Sequence, residues 1–128
     1  MRNIPVMDCG DGFTRANNGC FGKGPVIKTA AYTISVRETG TVFSNKGDGD
    51  ALVLTLPAAE AGVWFTFFKH TQQNLSVQAA GGAKINNGTA NKKYENVAAE
   101  AGGSCTLVSD GVDWFVAGEK GTWVNNNT

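Results

Sequence analysis

The window Val63-Trp64-Phe65-Thr66-Phe67-Phe68 is apolar at five of six positions, and no other feature restricts the fold of this chain as much. Preceded by Gly62 and followed by Lys69-His70, it reads as a short strand. A half-solvated antiparallel strand alternates apolar and polar residues, so a strand that is apolar on both faces has to be covered on both. Leu52-Val53-Leu54-Thr55-Leu56 poses the same problem with one polar position. A second sheet can cover one face. Another subunit is expected to cover the other, because Trp64, Phe67 and Phe68 left in water would form a patch that soluble monomers rarely carry. Trp64, Phe65, Phe67 and Phe68 are therefore assigned to the core or to an oligomer interface. Closed symmetry makes the assembly a small ring, a trimer or a dimer.

The rest of the chain from Thr29 onward has the same short-strand grammar. Tyr32, Ile34 and Val36 alternate with Thr33, Ser35 and Arg37, and Thr41-Val42-Phe43-Ser44 follows the break at Gly40. Asn45-Lys46-Gly47-Asp48-Gly49-Asp50 is a turn, since glycine and aspartate suit tight backbone geometry. Leu75 and Val77 mark another strand, as do Lys84-Ile85 before Asn86-Asn87-Gly88. Cys105–Val108 and Val112–Val116 flank Asp110-Gly111 and predict a hairpin, and Thr122-Trp123-Val124 predicts a last strand. Ala58-Ala59-Glu60-Ala61-Gly62 recurs as Ala98-Ala99-Glu100-Ala101-Gly102, each copy directly before a strand. Each is expected to form one helical turn crossing from one sheet edge to another. The expected fold is all-β: one antiparallel β-sandwich or barrel-like domain at residues 29–128, behind an extended N-terminal arm at residues 1–28.

The arm has no sustained period of either 2 or 3.6, yet it holds several large apolar residues, which floppy tails usually lack. Arg2, Ile4, Val6, Phe13, Arg15, Phe21 and Lys23 supply the apolar and basic groups expected to order against a partner surface. The first residues lack the apolar stretch of a signal peptide, so synthesis in a reducing cytoplasm is expected. Cys9, Cys20 and Cys105 then read as reduced thiols, with a Cys9–Cys20 bridge as the alternative. Eleven basic residues balance eleven acidic ones, which argues against nucleic acid as a partner. No run of 18 apolar residues is present to cross a membrane as a helix.

Catalytic chemistry is hard to build from these residues. His70 is the single histidine and the one side chain suited to act as a base near neutrality, and it reads as an exposed strand-end residue. Asp48 and Asp50 read as turn residues, since a calcium loop would need an oxygen ligand at Leu52. Glu60 and Glu100 read as solubilising residues. The Gly19–Gly24 cluster lacks phosphate-loop spacing. No enzyme, metal or cofactor is expected.

Three segments carry a family resemblance. Ala31-Tyr32-Thr33-Ile34-Ser35-Val36 through Gly40-Thr41-Val42-Phe43-Ser44-Asn45 is similar to a recurrent pattern in tailed-bacteriophage virion structural proteins. So are Leu54-Thr55-Leu56-Pro57 with its Ala-rich turn, and Ser104–Val108 to Trp114-Phe115-Val116 with Gly121-Thr122-Trp123. The resemblance spans roughly residues 30–124, and its pieces occur in capsid-associated proteins, head-fibre-like proteins and tail fibres. It implies a capsid decoration (cement) protein, a homotrimer on the outer surface of the head that binds the major capsid protein and stabilises the shell. The alternative is a tail-fibre or receptor-binding module for a surface glycan, with Tyr94, Trp114 and Trp123 as candidate stacking residues.

Overall fold

In the computed structural model the described residues are 24–128, together with a two-residue antiparallel pairing of β1 (Met7–Asp8) with β2 (Thr14–Arg15). Arg2, Ile4, Val6, Phe13, Phe21 and Lys23 lie outside the described residues, as does the Cys9–Cys20 alternative. Arg15 is described through its main chain in β2.

The other ten strands form two five-stranded sheets on one plan. They are β3 (Val26–Ile27), β4 (Tyr32–Thr33), β5 (Val42–Ser44), β6 (Leu52–Thr55) and β7 (Trp64–Lys69), then β8 (Leu75–Gln78), β9 (Lys93–Asn96), β10 (Gly103–Ser109), β11 (Trp114–Lys120) and β12 (Val124–Asn126). The front sheet has the order β11-β10-β7-β5-β3 and the back sheet β12-β9-β8-β6-β4. Successive strands from β3 to β8 alternate between the layers, so each strand lies parallel to the one two places earlier. The remaining pairings, β7–β10, β10–β11, β8–β9 and β9–β12, are antiparallel. The protein is an all-β sandwich as expected, but its sheets are mixed rather than antiparallel. Strand alternation identifies the faces of a strand and leaves its neighbour's direction open. Val26–Ile27, from the stretch expected as arm, form the edge strand beside β5.

The interior is built from the inward parity of both sheets. Phe43, Phe65, Phe67, Leu107 and Trp114 enter from the front, and Leu52, Leu54, Leu75, Val77 and Tyr94 from the back. Phe43 lies 5.9 Å from Phe67 and 6.0 Å from Phe65 between ring centroids, and Phe65 lies 5.9 Å from Trp114. Fully burying each such ring contributes about 1.5–3 kcal/mol. The predicted strand through Val36 stops at Thr33, because Ser35-Val36-Arg37-Glu38 makes a 3-10 turn over Val36–Glu38. Glu38 Oε1 accepts from the Ser35 main-chain N–H at 3.0 Å and from the Tyr32 hydroxyl at 2.7 Å, which holds the chain in that turn. Lys84–Ile85 shrinks to one bridge, from Ile85 to Trp114.

The Ala-rich copies do cross between sheets, from β6 to β7 and from β9 to β10, without the helical turn expected of them. In each copy the last glycine adopts a left-handed conformation, φ +84° at Gly62 and +90° at Gly102, which a side chain would strain. Gly62 then donates its N–H to Ser109 O (2.9 Å) and Gly102 to Lys69 O (2.6 Å), closing the two ends of the β7–β10 ladder. The Asp-Gly hairpin forms where predicted, but its loop is Asp110–Asp113. Asp110 Oδ1 accepts from the Val112 and Asp113 main-chain N–H groups, both at 2.8 Å, which closes a loop of that length.

Candidate functional site

Strand β7 splits its aromatics evenly between its two sides. Phe65 and Phe67 are completely buried, whereas Trp64 is 41% exposed and Phe68 36% exposed on the outer face of the front sheet. Cross-strand register extends this outer surface in both directions. Trp64 stands opposite Val108, which stands opposite Phe115, itself 50% exposed. Phe68 stands opposite Ser44 on one side and Ser104 on the other, and Ser44 opposite Ile27, which is 51% exposed. Between these rows runs Val42–Thr66–Thr106. Four of the large exposed apolar side chains of the described residues thus share one sheet face. A half-open groove of about 460 Å³ runs along it between Pro25, Ile27, Val42, Thr66 and Phe68, with Lys46 and His70 at one end.

The hydroxyls of Thr39, Ser44, Thr66 and Thr106 on this face already have partners. The Thr66 and Thr106 hydroxyls bond each other at 2.8 Å, and Ser44 Oγ accepts from Lys46 N–H at 3.2 Å. Thr39 Oγ1 accepts from Trp64 N–H at 3.1 Å. A protein surface laid over the face would therefore not strand these donors and acceptors, whose burial without partners costs about 1–3 kcal/mol each.

One corner of the face is fixed by Asn45, which is fully buried. Its Oδ1 accepts from the His70 N–H (2.6 Å) and the Thr71 N–H (3.2 Å), and its Nδ2 donates to Thr71 Oγ1 (3.1 Å). The turn after β5 is thereby tied to the end of β7.

No protein-family model and no curated protein matches the chain. The arrangement of side chains has to carry the functional reading.

Of the residues expected at a core or interface, the structure divides Phe65 and Phe67 from Trp64 and Phe68, placing the first pair inside and the second outside. Tyr94, Trp114 and Trp123, named for glycan stacking, are all buried, and Tyr94 stacks on Trp123 at 5.8 Å. Their rings are not available to a sugar. His70 is exposed at the strand end, with its ring 6.1 Å from Phe68. Asp48 Oδ1 accepts from Asp50 N–H at 3.0 Å, as turn chemistry requires. Ile27 and Phe115 were missed as members of the outer face. Phe115 was recoverable, since it lies between the inward-facing Trp114 and Val116.

Cys105 faces the interior of β10, and burial pushes its thiol well above the ordinary range, with Glu119 adding to the shift. In the native protein Cys105 should resist iodoacetamide and become alkylated only in denaturant. Peptide mapping of the labelled cysteines checks this, and prompt native labelling of Cys105 would contradict it.

Proposed function

We propose that this chain is a self-associating structural protein that decorates the outer surface of a tailed-bacteriophage capsid and stabilises it, with a homotrimer as the expected assembly. The outer face of the front sheet carries the reading. Trp64, Phe68, Phe115 and Ile27 form an apolar surface whose central hydroxyls, Thr66 and Thr106, satisfy each other, as suits contact with protein. Further copies of the chain are the proposed cover, and symmetry limits their number. The shell as destination rests on the family resemblance of residues 30–124. Of the expected arm, the part before β3 is the proposed contact with the major capsid protein, since Val26–Ile27 belong to the front sheet. A ligand that binds the assembled lattice shifts the equilibrium away from rupture, and several arms on one body add avidity.

Light scattering on the purified chain should give a multiple of 13.4 kDa, and the double variant W64E/F68E should run at 13.4 kDa while keeping its β-sheet circular dichroism. A wild-type particle of 13.4 kDa at high concentration would overturn self-association. Removing residues 1–24 should leave a folded oligomer that no longer sediments with capsids, whereas retained binding would refute the role of the arm. The glycan alternative has lost its three candidate rings to the core.

A further inference from the structure

Phe65 and Phe67 turn inward from β7, and Lys69, two residues on, follows the same parity into the interior, where it is completely buried. Lysine is almost never fully buried without an anion beside it. Here Nζ donates to Asn96 Oδ1 at 3.0 Å and to the Ala98 main-chain carbonyl, both neutral oxygens. Asn96 ends β9 in the opposite sheet and is itself fully buried.

Each atom of the Asn96 carboxamide has a partner suited to acyl transfer. Oδ1 accepts from the Ala98 N–H at 3.2 Å, a donor placed to stabilise negative charge developing on that oxygen. Nδ2 donates to Glu100 Oε1 at 3.2 Å, and the same carboxylate oxygen is held by the Thr122 N–H at 2.8 Å. A buried nucleophile and a buried carbonyl thus meet beside a partly exposed carboxylate that holds the leaving nitrogen. Burial also holds the Lys69 amine below its ordinary range, against the opposing pull of Glu100, which favours the neutral nucleophile.

The geometry points to a self-formed amide bond between Lys69 Nζ and Asn96 Cγ, a covalent tie between the two sheets. The Nζ lone pair adds to Cγ, the nitrogen gives up a proton to solvent, and Glu100, already bonded to Nδ2, delivers a proton to that leaving nitrogen. The Cγ–Nδ2 bond then breaks and ammonia leaves, so amine and carboxamide become a secondary amide and ammonia with no change in oxidation state. The product removes the unfavourable element of the corner. A neutral amide N–H replaces the buried amine, and the Ala98 carbonyl remains as its acceptor.

Intact-mass spectrometry of the purified full chain should find a species lighter than the sequence mass by one ammonia. Tryptic digestion should give a branched peptide joining the segment around Lys69 to that around Asn96. K69M and E100Q should both restore the unmodified mass, with wild-type circular dichroism showing that E100Q still folds. A wild-type chain at full sequence mass overturns the proposal. So does an ammonia loss that persists in K69M, which would place it elsewhere, for instance as a ring closure at Asn87-Gly88. Loss retained in E100Q overturns the role of Glu100.

Discussion

Phe65→Ala should lower the free energy of unfolding by about 3–5 kcal/mol, the range for truncating a fully buried phenylalanine. Phe65 touches Phe43, Phe67 and Trp114, so the cavity opens at the centre of the aromatic cluster, where neighbouring rings cannot close it without leaving their own contacts. For a domain holding about 5–15 kcal/mol in total, that is a large share. Urea denaturation followed by tryptophan fluorescence measures it as a drop in midpoint at unchanged slope. Trp64→Ser, one residue away, removes a larger ring from the outer face and, with both variants compared at a concentration where the chain is monomeric, should change stability by less than about 1 kcal/mol. Equal losses at the two positions would mean that β7 does not divide its faces as described.

Asn45→Ala is the second large expected effect, a loss of about 2–4 kcal/mol. Three side-chain hydrogen bonds disappear at once, and two main-chain N–H groups at the end of β7, those of His70 and Thr71, lose their acceptor. Each unpaired group costs about 1–3 kcal/mol unless water reaches it. The measurable signature is local as well as global. Hydrogen exchange at His70 and Thr71 should accelerate well beyond the change seen at Leu107 in the sheet centre. Uniform acceleration across all three positions would refute the local role of Asn45.

Much of this organisation was legible in the residues. The density of apolar groups at positions 63–68 demanded a cover on both faces, and the structure supplies a core on one side and an unpartnered apolar surface on the other. The repeated Ala-Ala-Glu-Ala-Gly marked both sheet crossings, though alanine's helix preference suggested a turn of helix that so few residues cannot sustain. Pairing direction could not be read. The hydrogen bonds of β5 to β3 and β7 join segments separated by whole strands of the other layer, and no local pattern encodes that. The corner of Lys69, Asn96 and Glu100 was hidden for a different reason. Charged and amide residues at strand ends resemble surface, and Glu100 reads as a solubilising residue until its hydrogen bonds are seen. Parity was the available signal, because position 69 continues the inward series 65 and 67.

The alternation of β3 to β8 between layers has a consequence for how the molecule assembles itself. Because each strand in that run must wait for the chain to visit the opposite layer and return, no hairpin can nucleate the parallel half. Closing those loops precedes any reward in contacts, which places folding in the slow regime of non-local topologies. It also means that the layers are knitted together rather than stacked. Peeling one away would unravel its companion, a construction suited to bearing load.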